Sequence, residues 1–164
     1  MARSAFYSFH YVPDCWRASQ VRNMGVVDGN QPASDNDWEQ VKKGGDAAIE
    51  KWIADQMRGR SCAVVLIGQN TAGRKWIAHE ISTAWNDNKG VLGVYIHRLK
   101  DVSGYQCTQG GNPFDHVTFK ANGKPLSTVV KTYDTPADSK DAYAYIKSNL
   151  AAWIEDAIKI RANN

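Results

Sequence analysis

A tryptophan and a glutamate four residues apart, Trp76 and Glu80 in RKWIAHEIS, are the pair in this chain best placed to do chemistry. At 100° per residue, a helix through this stretch turns Glu80 about 40° from Trp76 and Ala84 about 80° from it, with Ile81 further round. The carboxylate therefore falls on the shoulder of an apolar face. There it loses hydration, and its pKa rises unless a cation or hydrogen-bond donors stabilise it. A substrate centre that becomes an oxocarbenium ion would be such a cation, and stabilising it most in the transition state is what catalysis requires. The plainer reading pairs Glu80 with Arg74 or Lys75, since ion pairs on helix surfaces are commonplace, and assigns Trp76 to the core.

Other reactive side chains are scattered. His10, His79, His97 and His116 lack a spacing that puts two imidazoles on one helix face, so no metal is expected. His79 precedes Glu80 but points about 100° away from it, toward the surface. Cys15, Cys62 and Cys107 are an odd number and far apart, which predicts free thiols in a reducing compartment. Neither a Cys-His nor a Ser-His-Asp set can be assembled from spacing, and the absence of GxGxxG argues against a Rossmann-type site. In the irregular stretch around Asp35, Asn36, Asp37 and Trp38, Asn36 or Asp37 suits the N-cap of a following helix. Trp38 offers a ring to stack on a base or a neighbouring subunit. NPFD, Asn112 to Asp115, reads as a turn fixed by Pro113.

The elements that must position these residues alternate. Arg3 to Tyr11 is aromatic-rich and reads as a first strand that stops before Pro13. A helix is expected from Asp14 to Met24, then a long irregular connection rich in Gly and Pro. The next helix spans about Trp38 to Met57, with a break at the Gly44-Gly45 pair, and its Ile49, Trp52, Ile53 and Met57 fall on one face. Ser61 to Gly68, SCAVVLIG, is a continuous apolar run of the kind found in a strand covered on both sides. GQNTAG turns the chain into the helix of Glu80, expected from Arg74 to Asn88, and VLGVYIHRL supplies another buried strand. Lys100 to Lys124 is polar and glycine-rich, a loop expected to decorate the sheet edge. LSTVVKTYD is expected as the last strand. Asp138 is the expected N-cap of a final helix whose apolar stripe runs through Tyr145, Ile146, Leu150, Trp153, Ile154, Ala157 and Ile158.

Strands alternating with helices predict an open, mainly parallel α/β sheet with helices on both faces and right-handed crossovers. Ligands of such sheets bind beyond the carboxyl ends of the strands, so the loops after Tyr11, Gly68 and Leu99 are the ones to search. One domain over 1–164 is expected from the length. With 43% hydrophobic and 23% charged residues, the chain is too apolar for disorder and too interrupted by charge to span a bilayer. The N-terminal stretch is too short and mixed for a signal peptide, which predicts a cytoplasmic location. A net charge of +3 without a basic block gives nucleic-acid binding little support.

A strand ending in serine (FYSFHY), an apolar strand (CAVVLIG), then a loop and a helix with Trp76-x-x-x-Glu80, in that order, resembles a TIR domain. More narrowly, FYSFHY, DWEQVKK, CAVVLIGQNTAGRKWIAHEI and NPFD resemble the bacterial TIR-like proteins that include the TIR subunit of Thoeris antiphage systems. Where many TIR domains carry S-x-W-C, this chain has Arg74 and Ile77 around the tryptophan. The resemblance implies a flavodoxin-like sheet and, in catalytic members, cleavage of the nicotinamide–ribose bond of NAD, with the residue matching Glu80 stabilising the cationic transition state. It further implies Ser8, Phe9 and His10 as a loop that holds the dinucleotide, against the alternative that Phe9 is core and His10 packs or caps. Asp37, Trp38 and Trp76 are its other candidate contacts. No cofactor beyond NAD as substrate is implied. The expected product is an ADP-ribose-derived, cyclic signal nucleotide that reaches an effector protein by diffusion, and the enzyme is expected to act as a homo-oligomer on activation. The competing function is a non-catalytic TIR-like assembly module. A phosphoacceptor receiver domain would share the fold but needs an acidic cluster that SFHY does not supply.

Overall fold

The structure, a computed structural model, describes residues 3–29 and 43–164. Its centre is Cys62–Ile67 (β3), buried along its whole length. On one side lie Ser4–Ser8 (β1) and the two-residue Asp28–Gly29 (β2); on the other lie Gly90–Tyr95 (β4) and Thr132–Tyr133 (β5). The sheet order is β2-β1-β3-β4-β5, with every neighbouring pair parallel. Parallel strands buried on both faces read as unbroken apolar runs rather than alternating ones. That is why β3 was visible in the sequence.

Helices cover both faces. Tyr11–Arg22 (α1) and Ser139–Ala162 (α4) share a core with Ala5, Tyr7, Val64, Leu66 and Val94. Asp46–Met57 (α2) and Lys75–Asn86 (α3) share the other with Phe6, Ala63, Val65 and Ile67. Successive β residues point to opposite faces, so Phe6 and Ser8 turn toward α2 and α3 while Tyr7 turns toward α1 and α4.

Several boundaries differ from the sequence expectation. β1 ends at Ser8, and Pro13 is the third residue of α1 rather than a stop after a longer strand. The first N–H groups of a helix have no intrahelical partner, so a proline in the first turn gives up nothing. α2 begins only after Gly45, whose φ of 80° interrupts the helix as the glycine pair suggested. The expected start at Trp38 lies outside the described residues. LSTVVKTYD yields a short 3-10 turn, Leu126–Thr128, and only the two strand residues of β5.

The 100–124 loop is no edge decoration. The Cys107 N–H donates to the His97 carbonyl, and Phe114, in the 3-10 turn Pro113–His116, is fully buried in the core on the α3 side. At the far end, Asp138 caps α4 as expected, accepting from the N–H groups of Lys140 and Asp141. The α4 stripe is buried at Ile146, Leu150, Trp153, Ile154 and Ala157, but Tyr145 stays 42% exposed. All three cysteines are free thiols, and no described helix is long and apolar enough to cross a membrane.

Candidate active site

The strand order places a switch between β1 and β3, whose outgoing chains leave toward opposite faces, and open sheets collect ligands in such a crevice. α1 leaves β1 on one face; the turn after β3 leads into α3 on the other. That turn is held from within, because the Gly68 N–H donates to Oγ1 of the fully buried Thr71 at 2.8 Å. Arg74 then sits at the N-cap of α3 without a side-chain cap bond.

Glu80 is on the second turn of α3 and only 8% exposed. The surface ion pair does not form. Lys75 bonds Asp46 of α2 at 2.5 Å and lies 4.9 Å over the Trp76 ring, and Glu80 has no basic partner among the described residues. Burial therefore pushes its carboxyl up to about 8. The Ser8 hydroxyl opposes this by favouring the carboxylate, but it lies outside hydrogen-bonding alignment: Ser8 Oγ and Glu80 Oε2 are both buried without a partner.

His10 follows Ser8 by two residues, just past the end of β1, and its Nδ1 is likewise buried and unpartnered. It is the N-cap of α1 by position, yet its side chain caps nothing. Burial, then the nearby Arg74 charge, lower its pKa and favour the neutral ring. Buried polar groups are ordinarily hydrogen-bonded, and exceptions need a reason. Here a hydroxyl, an imidazole nitrogen and a carboxyl oxygen are left without partners at the end of β1 and the facing helix.

The other expected contacts separate. Phe9 turns to the opposite face, where it packs on the α1/α4 core and stacks on Tyr11 at 6.1 Å. Trp76 is half-buried against the α2/α3 core, with His79 edge-on to it at 5.5 Å. His79 is thus half-buried against the ring rather than free at the surface. Asp37 and Trp38 lie outside the described residues.

A second buried carboxylate went unnoticed in the sequence. Asp14, 1% exposed in the first turn of α1, is paired with Arg17 at 3.1 Å and packs so closely on Gly68 that a Cβ there would fall 2.1 Å from its Oδ2. Arg17 also donates to the carbonyls of Leu99 and Tyr105, both at 2.8 Å. Gly110 closes over the same place, where a Cβ would meet the Gly68 carbonyl oxygen at 2.3 Å. The pair therefore clamps the 98–111 loop to the ends of β3 and β4. The signal was present: Asp14 and Arg17 share the face that Ala18 and Val21 bury, so their charges were bound to meet inside. Asp14 has a fixed cation, and Glu80 has none.

Comparison with known proteins agrees with this architecture. The family model for the TIR-like domain of Thoeris protein ThsB matches residues 6–101, from β1 through the strand following Glu80. A curated relative from Bacillus cereus (strain MSX-D12), "Putative cyclic ADP-D-ribose synthase ThsB1", is 33% identical over 92% of this chain and 82% of its own length. A solved structure of RosB with a bound intermediate covers 99% of this chain and 77% of its own, but at 12% identity and a TM-score of 0.36 it is too distant to bear on the fold. By the model match and the relative together, the chain belongs to the Thoeris ThsB family of TIR-like domains.

Proposed function

We propose that this chain cleaves NAD between nicotinamide and ribose and joins the freed ribose carbon to an acceptor in the same molecule, giving a cyclic ADP-ribose-type signal. One observation carries the reading: Glu80 is buried at the switch of the sheet near Ser8, with no cation of its own among the described residues, while Ser8 Oγ and His10 Nδ1 at the end of β1 also lack partners. An assembly module gains nothing from such a cluster, since each buried unsatisfied polar group costs about 1–3 kcal/mol. A binding site recovers that cost when ligand arrives.

In the reaction, the glycosidic carbon–nitrogen bond breaks and its electron pair goes to the ring nitrogen, which leaves as neutral nicotinamide. Positive charge appears on the ribose. The Glu80 carboxylate stabilises that charge, and the low dielectric around it strengthens the interaction. The Ser8 hydroxyl and His10 Nδ1 hydrogen-bond polar groups of the substrate. An acceptor atom of the same molecule then closes the ring if water is excluded, whereas water entering would yield the open hydrolysis product. The relative's printed name, a cyclic ADP-D-ribose synthase, favours closure. Within a Thoeris system the product would act on a partner effector protein, and self-assembly on activation belongs to the same reading.

Mass spectrometry of products from NAD, with the activated full chain, tests this. Nicotinamide appearing in step with a product of the mass of NAD less nicotinamide is expected. Nicotinamide accompanied only by linear ADP-ribose would remove the cyclase assignment, and intact NAD under activating conditions would remove the enzyme.

A further inference from the structure

We infer that the Glu80 site selects its ligand by permanent positive charge: the described residues leave the free site uncharged, and seating a pyridinium-bearing dinucleotide displaces the Glu80 proton, so the oxidised form is held in preference to the reduced one. The inference rests on reading the site as one for NAD.

The described groups at the end of β1 and along α3 support it. From the end of β1 come Ser8, which is neutral, and His10, which burial and Arg74 keep neutral. On α3 itself, Lys75 is committed to Asp46 of α2, Arg74 is exposed at the helix start, and His79 packs on Trp76. No described side chain offers a cation within ion-pair distance, and a lone carboxylate at 8% exposure is held at a cost of several kcal/mol. The carboxyl therefore keeps its proton to about 8 in the free protein. A pyridinium ring changes this balance by bringing its own charge into the crevice, and an opposite charge at close range favours the ionised carboxylate. A dihydropyridine ring brings none. It leaves Glu80 protonated, or ionised and unpaired, and rising pH depletes the protonated state that tolerates the neutral ring.

Titration calorimetry on the full chain decides the matter, with carbocyclic NAD as a cationic, non-cleavable probe and NADH as its neutral counterpart. In two buffers of different ionisation enthalpy at pH 7, about one proton should be released per cationic dinucleotide bound. Affinity for that probe should rise about tenfold per pH unit to near pH 8 and then flatten, while affinity for NADH does not rise. In Glu80→Gln the proton release and the pH slope should both vanish. Absence of proton release in the wild type, equal pH behaviour of the two probes, or unchanged release in Glu80→Gln would each overturn the inference. Nicotinamide formation without proton-linked binding would defeat the charge selection and leave the enzyme standing. Proton-linked, cation-selective binding without turnover would do the reverse, and failure of both probes to bind would sink both.

Discussion

Replacing Glu80 by glutamine is expected to reduce nicotinamide release from NAD by at least about 10²-fold and, at pH 8, to make the chain harder to unfold. The first effect follows from removing the charge that faces the forming cation. Gln keeps the shape and a hydrogen-bonding oxygen, so the loss should fall on kcat more than on KM.

The second effect follows from where the proton sits. Below about pH 4.5 the carboxyl is protonated in both folded and unfolded chains, and burial costs nothing through ionisation. Between there and about pH 8 the unfolded chain ionises while the folded one holds its proton, so stability falls as pH rises; above about 8 the loss is complete. Each unit of pKa difference is worth about 1.4 kcal/mol, so the ceiling is a few kcal/mol. The amide does not ionise. Urea denaturation should show the advantage of Glu80→Gln growing from pH 4 to pH 8 and then levelling. A variant that loses both activity and stability would point to a packing role instead.

The opposite sign is expected at the other buried acid, Asp14, which is paired with Arg17. Arg17→Met should cost about 3–5 kcal/mol, because it strands the Asp14 carboxylate and leaves the Leu99 and Tyr105 carbonyls without their donor. Burial already raises the Asp14 pKa against the pull of Arg17, so with the arginine gone the carboxyl should titrate higher still. Asp14→Asn should cost much less, since its Oδ2 has no partner to lose and an amide oxygen can still accept from Arg17. Urea midpoints with unchanged slopes would measure both. Equal costs for the two variants would mean that the clamp acts through Asp14 and not through the guanidinium.

These two carboxylates also mark how far the sequence could be read. β3 and α3 were legible because burial on both faces and a helical apolar stripe each leave a long, regular pattern. Asp138 was legible because an N-cap is a local device, complete within three residues. Glu80 was placed on the shoulder of its helix by angle alone, but whether Lys75 would reach it depended on Asp46, 29 residues earlier and on another helix. Asp14 and Arg17 were visible only as charges near a helix start. Their partners are carbonyls in a loop more than 80 residues away, and no local pattern encodes such a contact. The burial of Phe114 was hidden for the same reason: NPFD has the composition of a turn, and it is one, but its ring is buried in the core with residues distant in sequence. β5 is two residues long and too short to carry a period at all.

The most direct measurement is a crystal structure of the full chain with carbocyclic NAD. The nicotinamide-bearing ring is expected in the crevice between β1 and α3, with the Glu80 carboxylate within about 4–6 Å of the carbon that bears nicotinamide and Ser8 and His10 bonded to the ligand. Nicotinamide bound elsewhere, or Glu80 turned to a basic side chain of its own or a neighbouring chain while ligand is present, would contradict it.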